Sequence, residues 1–257
     1  MDPNAIRALL EAVRAGSRPV DDALAELREL PFRDLGFARV DHHRALRTGF
    51  PEIVFGAGKT PEQLVALFRE ISDRGQTAFA TRVTPEGAAA LAEAFGDTVD
   101  LDPVARTAVA QRGGTPTPIG RAPIAVVAAG TSDLPVAEEA AVTATVLGSA
   151  VRRIYDVGVA GLHRLLPEQP TLEASSVVIV CAGMEGALPS VVAGLVSSPV
   201  IAVPTSIGYG ASLGGLAALL ANLSACAPGV TVVNVDNGFG AAYAACLVQR
   251  RVDGAPG

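Results

Sequence analysis

Between Glu185 and Asp236 the chain runs for fifty residues, Gly186–Val235, without one Asp, Glu, Lys, Arg or His. An unbroken apolar run of ~18 residues or more would read as a membrane span. This run is broken by Pro189, Gly194, Pro199, Pro204, Gly208, Gly210, Gly214, Gly215 and Pro228. Between the breaks stand two short β-branched segments, Pro199–Pro204 and Gly229–Val235, alternating with helical patterns at 187–196 and 212–225. Parallel strands covered by helices on both faces read as continuous hydrophobic runs. The stretch is therefore predicted to be the buried middle of an α/β sheet, with helices that face protein on nearly every side. Helices apolar all round belong in a large core or a subunit interface.

The same alternation extends upstream. Strands are predicted at 124–129, 152–157, 176–182, 200–203 and 230–235, each followed by a helix, the second of these around His163 and the fourth from about Ser212. This pattern implies an α/β fold with a flavodoxin-like, doubly wound parallel sheet. Right-handed crossovers leave few alternatives. Ahead of it, residues 3–30 read as two short helices closed by Pro31. A strand at 52–55 leads to a helix from Pro61 to about Arg74, with Thr60 as N-cap and Gln63 completing a capping box. A strand over 76–83, a helix over Pro85–Phe95 and a strand near 98–101 complete a small βαβ-type layer. Arg112–Pro123, with three Gly and three Pro, interrupts the pattern and sets a boundary near residue 115. The expected organisation is a helical and small α/β domain at 1–115 and a larger α/β domain at 116–257.

A hydrophobic content of 49% and a mean hydropathy of +0.38 favour an oligomer with buried helix faces. The net charge of −6 and the pI near 5.1 argue against a nucleic-acid footprint. Cys181, Cys226 and Cys246 have no zinc or redox spacing. An odd cysteine count and an amphipathic, charged N-terminus predict a reducing cytoplasm and no membrane segment.

In a doubly wound sheet, ligands bind beyond the carboxyl ends of the strands. Five segments fall there: Gly130, Thr131, Ser132 and Asp133; Asp156–Gly161; Ala182–Gly186, with Gly183 and Met184; Pro204–Gly210, with Ser206, Gly208, Tyr209 and Gly210; and Val235–Gly240, with Asp236 and Asn237. Glycine lets backbone N–H groups approach a phosphate, although any one such segment serves a strand-to-helix turn equally well. Five together favour a phosphorylated ligand. Phe55–Thr60 looks like the end of a P-loop but has Ile53 where that motif needs glycine, and Gly208–Gly214 is one residue too long for a Rossmann fingerprint. Lys59, the single lysine, can reach a phosphate or carboxylate or simply flank a helix cap. Cys181 and Cys246 sit inside a predicted strand and helix and read as core, while Cys226 follows a helix and reads either as packing or as a nucleophile. His163 opens a predicted helix, where a structural role suits it as well as a catalytic one. His42 and His43 are adjacent, so only one can face a site.

GTSDLPVAEEA (Gly130–Ala140) and AGMEGALPSVVAGL through PVIAVP (Ala182–Pro204) resemble the PurE family of aminoimidazole ribonucleotide carboxylases and mutases. Two departures stand out. Met184, Glu185, Gly186 and Ala187 occupy the place of the glycine-alanine-histidine loop of PurE proper, which also lacks the N-terminal domain. Both match a sister family, LarB, which DHHRALRTGFPE (Asp41–Glu52), GAGKTPEQ (Gly56–Gln63), PTSIGYG (Pro204–Gly210), LSACAPG (Leu223–Gly229) and VDNGFGAAYAA (Val235–Ala245) also resemble. The resemblance runs from about residue 30 to near the end.

It implies a PurE-like carboxylase domain at 116–257 and a homo-octamer or other high-order homo-oligomer. It also implies the first step of nickel-pincer nucleotide synthesis, the cofactor of lactate racemase and related enzymes. There, C5 of the pyridinium ring of nicotinic acid adenine dinucleotide is carboxylated by CO2 and the phosphoanhydride is hydrolysed. The products are pyridinium-3,5-biscarboxylic acid mononucleotide and AMP. A pyridinium carbon will not attack CO2 unaided, so a nucleophile must first add to the ring, and thiolate adds and leaves readily. The family's nucleophile maps onto Cys226. Glu185 becomes the base for the C5 proton, its pKa expected to rise against apolar walls; the other reading is a carboxylate at a helix N-terminus. Ser132 and Asp133 are expected to hold ribose phosphate or help a metal, His163 to lie near CO2, and Arg44 and Lys59 to assist the substrate. Cleaving a diphosphate calls for Mg²⁺ or another divalent cation, with Asp236 or Asp156 as ligand. Simple topology sets Cys226 at the sheet edge opposite the five loops. Either its turn folds back or the thiol enters a neighbouring subunit's site. The rival readings are PurE-type purine chemistry and a non-catalytic nucleotide-binding oligomer.

Overall fold

The computed structural model describes residues 3–28, 32–110 and 118–252. They form two compact units, residues up to 103 with 107–110, and residues 118–252 with Val104–Arg106. Pro31 and the predicted boundary near residue 115 lie outside the described residues.

The N-terminal unit begins with α1 (Pro3–Arg14) and α2 (Val20–Arg28), followed by an antiparallel pair, β1 (Arg33–Asp34) and β2 (Arg39–Val40), and by α3 (Arg44–Thr48). Then come β3 (Ile53–Phe55), α4 (Pro61–Asp73), β4 (Ala78–Thr81), α5 (Pro85–Phe95), β5 (Val99–Asp102) and β6 (Thr107–Ala110). The capping box is present: the Gln63 amide donates to Thr60 Oγ1 at 3.3 Å and the Thr60 amide to Gln63 Oε1 at 3.1 Å. The sheet order is β3-β4-β6-β5, with β3 and β4 parallel and β6 antiparallel to both its neighbours. The layer is thus mixed rather than purely βαβ. The expectation missed β6 because Thr-Ala-Val-Ala is short, small and buried throughout, with no alternation to mark it.

Just after β2, His42 is buried with its Nε2 3.0 Å from Glu70 Oε1 on α4, and the Arg74 Nε donates to the same oxygen at 2.8 Å.

The C-terminal unit holds β7 (Ile124–Ala128), α6 (Leu134–Val146), β8 (Val151–Ile154), α7 (Gln169–Glu173), β9 (Val177–Ala182), α8 (Leu188–Ala193), β10 (Val200–Pro204), α9 (Leu216–Leu223), β11 (Val230–Val232) and α10 (Gly238–Val252). All five strands are parallel in the order β11-β10-β9-β7-β8. Counted within the unit this is 2-1-3-4-5, the flavodoxin-like order, and the order of strand addition reverses between β7 and β9. Every residue of β7, β9 and β10 is buried. The edge strands differ: β8 exposes Arg152 and Arg153, and β11 has only three residues.

Two helices differ from expectation. Around His163 the chain makes short 3-10 turns, Val159–Arg164 and Leu166–Glu168, because Gly161 leaves the helical region and Pro167 and Pro170 interrupt the ladder. The fourth helix starts at Leu216 rather than Ser212, because Leu213, Gly214 and Gly215 all take left-handed backbone. Within one chain α9 is also not covered on every side: Leu216, Leu220 and Leu223 are exposed. No helix among the described residues is long and apolar enough to cross a membrane.

Burial, then the Arg74 guanidinium, holds the His42 imidazole below its ordinary 6.5, against the pull of Glu70. The folded unit keeps His42 neutral where the unfolded chain would protonate, so its contribution is full above the ordinary value and lost as pH falls through the lowered one. Thermal melts from about pH 7.5 down to about pH 5 are expected to show the N-terminal unit losing stability, with a shallower slope in His42→Gln. At Gly238, a Cβ would run into the Val136 carbonyl oxygen on α6. Gly238→Ala is expected to cost about 1–3 kcal/mol and lower the melting midpoint of the C-terminal unit by several degrees.

Candidate functional site

The reversal of strand order puts the loops after β7, β9 and β10 side by side. After β7, residues Thr131–Asp133 form a 3-10 turn that points the Asp133 side chain inward, where the residue is 4% exposed. Its Oδ2 accepts from the Gly130 amide at 3.0 Å, and its Oδ1 accepts from the hydroxyl of Thr205, after β10, at 2.6 Å. The Gly183 amide, after β9, lies near enough to this carboxylate to help lower its pKa. Burial pushes the Asp133 carboxyl up, and these donors pull it back down. Gly183 has no room for a side chain: a Cβ would meet the Ile207 carbonyl and the Thr205 hydroxyl. Met184 takes left-handed backbone, φ 53°, and its amide donates to the Ile207 carbonyl at 2.8 Å. After β11, Asp236 is also left-handed; its amide donates to Pro204 O at 2.8 Å and its Oδ1 accepts from the Ser206 amide at 2.7 Å. Non-glycine residues held in this region recur at ligand sites.

Above this buried layer, Thr131, Ser132, Met184, Glu185, Ser206, Gly208, Tyr209 and Gly210 are exposed on the same edge. Asn237 is half-buried, and its Oδ1 caps α10 by accepting from the Gly240 amide at 2.8 Å. Glu139, buried on α6, accepts from the Phe239 amide at 3.3 Å. Asp133, Glu139 and Asp236 together push the buried Cys181 thiol up, after burial itself. The floor of this edge is therefore negative.

Several expected residues stand elsewhere or do other work. Glu185 is exposed, so this chain by itself does not supply the apolar walls expected around it. Asp156, left-handed after β8, pairs with Arg164 at 2.8 Å, beside the exposed His163. Asp156 sits over β8 and Asp236 beside β10, three strand spacings apart at ~4.8 Å each, so one ion cannot take both. Among the described residues, no three His, Cys, Asp or Glu side chains converge to hold a metal. Arg44 and Lys59 belong to the N-terminal unit. Arg44 pairs with Glu52 at 3.2 Å, and Lys59 Nζ donates to the Phe55 carbonyl at 2.7 Å.

Cys226 lies in the turn from α9 to β11. The Val200 amide donates to Gly229 O at 3.1 Å and Val200 pairs with Val230, which sets this turn at the amino edge of the sheet. The five residues of β10 separate it from the loops by about 13–16 Å, so the turn does not fold back. An exposed apolar stripe, Leu213, Leu216, Leu220 and Leu223, leads from the exposed Tyr209 loop toward it at helical spacing.

Thr205 went unremarked in the sequence. Its signal was a hydroxyl directly after an all-apolar strand, where a buried polar group must have a partner.

Cys226 is exposed, whereas Cys181 and Cys246 are buried, Cys246 pushed up to about 11 by that burial. Under native conditions one thiol per chain is expected to react with a thiol-specific reagent, and Cys226→Ser should abolish that fast phase. Fast reaction of two or more thiols per native chain would contradict this arrangement.

Comparison with known proteins adds to this geometry. Residues 32–112 match the family described as LarB/PurE-like N-terminal domain, and residues 123–253 match AIR carboxylase. An uncharacterized protein of Methanocaldococcus jannaschii is 35% identical over 255 residues, covering 95% of this chain and 97% of that protein. The N5-carboxyaminoimidazole ribonucleotide mutase of the same organism is 37% identical over 127 residues, covering 48% of this chain and 75% of that enzyme.

Proposed function

The chain belongs to the LarB family, with a PurE-like C-terminal domain, and from that premise we propose that it carboxylates the pyridinium ring of nicotinic acid adenine dinucleotide at C5 and hydrolyses the phosphoanhydride. Its domains support carboxylase-type chemistry of the LarB/PurE kind. The finer reading rests on Cys226, the exposed thiol of the three, in LSACAPG.

In this reading the Cys226 thiolate adds to the ring and gives a dihydropyridine, an enamine nucleophilic at C5. C5 attacks CO2. A base, Glu185, removes the C5 proton, and the thiolate departs as aromaticity returns. Thr131, Ser132, Ser206, Gly208 and Gly210 line the edge where ribose phosphate would lie, and Tyr209 offers a ring for stacking. The negative floor of Asp133, Glu139 and Asp236 suits a cationic pyridinium better than a neutral imidazole. The described carboxylates do not converge on a built metal site, so Mg²⁺ enters this reading only as company to the substrate's diphosphate.

Thiol and loops occupy opposite ends of one sheet, so the reaction needs a second copy. The stripe from Leu213 to Leu223, 64% exposed at its last residue, offers the surface. Packing there brings one copy's Cys226 toward another's loops in a homo-oligomer.

Mass spectrometry of the protein mixed with nicotinic acid adenine dinucleotide is expected to find a ring-containing adduct on Cys226, absent in Cys226→Ser. Glu185→Gln should lower turnover by roughly 10²–10⁴-fold. Mixed oligomers of Cys226→Ala and Glu185→Ala chains should regain activity that neither has alone. The identity to the mutase supports a second reading, carboxyl transfer on aminoimidazole ribonucleotide. Turnover of that nucleotide, with no effect of Cys226→Ser, would replace the first reading.

A further inference from the structure

The four loops after β7, β9, β10 and β11 are joined in a chain by two carboxylates and one backbone hydrogen bond. Asp133 takes donors from two of them, the Gly130 amide at 3.0 Å and the Thr205 hydroxyl at 2.6 Å, and the Met184 amide ties the loop after β9 to the loop after β10 by donating to the Ile207 carbonyl at 2.8 Å. The residue after Thr205 carries the link onward, because the Ser206 amide donates to Asp236 Oδ1 at 2.7 Å. Asp133 is nearly buried and Thr205 wholly so. Thr205 is therefore closed off from the edge, and each Asp133 oxygen already accepts one hydrogen bond from protein.

We propose that Asp133 is a positioning residue, paired with Thr205, that holds the loop after β7 against the loop after β10, and through the Met184–Ile207 hydrogen bond the loop after β9, at the spacing the nucleotide requires. Replacing the carboxylate by an amide keeps the shape but removes the charge and turns one acceptor into a donor, which the Gly130 amide cannot receive and the Thr205 hydroxyl receives only by turning its own proton away. Removing the Thr205 hydroxyl leaves Oδ1 buried without its donor. Either change releases the same strap. Hydrogen bonds to a buried charge act strongly, so each release should matter for binding. The exposed atoms of the edge, Ser132 and Ser206, stay chemically intact in both variants.

The nucleotide arm of the test rests on the proposed function, and the exchange arm does not. In the ligand-free protein, amide hydrogen exchange over residues 183–186 and 205–210 is expected to quicken in Asp133→Asn and Thr205→Val, with β9 and α10 core amides unchanged. Thr205→Ser, which keeps the hydroxyl, should exchange like the native chain. Calorimetry with nicotinic acid adenine dinucleotide should show each of the first two variants weakened by roughly 10- to 100-fold, and the double variant no worse than either. In turnover, KM should rise more than kcat falls. Native-like exchange in both variants overturns the strap. So does a Thr205→Val protein that binds as tightly as the native chain while Asp133→Asn does not, because Asp133 would then touch the ligand directly. Loss of protection in Thr205→Ser overturns it too, by assigning the effect to packing. If the native protein binds no nucleotide, the functional reading fails and exchange alone decides the strap.

Discussion

A carboxylate withdrawn from water must be met by hydrogen-bond donors, and those around Asp133 come from parts of the chain far apart in sequence. Gly130 and Thr205 each follow a different strand, with the Gly183 turn between them, and only the parallel order β10-β9-β7 sets those ends side by side. The demand then propagates outward. Gly183 must lack a side chain for the Thr205 hydroxyl to come close, and Met184 must take a left-handed turn to leave the strand behind it. The inner sides of these loops are given to each other, and their outer sides, Thr131, Ser132, Ser206 and Tyr209, remain for a ligand.

Much of this was legible before any coordinates. The fifty charge-free residues, cut by Pro and Gly, carried the parallel sheet, because buried strands and their helices share one composition. Thr60 and Gln63 announced a helix start through local chemistry alone. What composition could not announce was set by long-range pairing. β6 is four small residues that become a strand only because β4 and β5 flank it. The role of Thr205 depends on an aspartate seventy-two positions away. The 3-10 turns around His163 were missed because a glycine with two prolines downstream outweighs the apolar spacing between them. Nor does periodicity tell which apolar helix face meets the sheet and which meets solvent, as α9 shows.

The resemblance to AIR carboxylases is carried by the sheet and its loops, residues 123–253. Beside that region the chain carries an N-terminal domain at 32–112, and within the region itself Glu185 stands on an exposed turn and an exposed thiol at the far end of the same sheet. The similarity to the mutase of Methanocaldococcus jannaschii covers about half of this chain, 127 residues at 37% identity.

The margins of the larger sheet restrict how copies can meet. An open sheet with long, unpaired outer strands invites a second sheet to continue it. Here β8 ends the row with four residues that carry Arg152 and Arg153 on opposite faces, the second paired with Glu138 at 3.0 Å, and β11 ends the other with three residues, too few to template a neighbour. Growth by backbone annealing is discouraged at both sides. Any contact between copies is left to side chains on helical surfaces, where geometry can close into a finite shell rather than extend as a fibre.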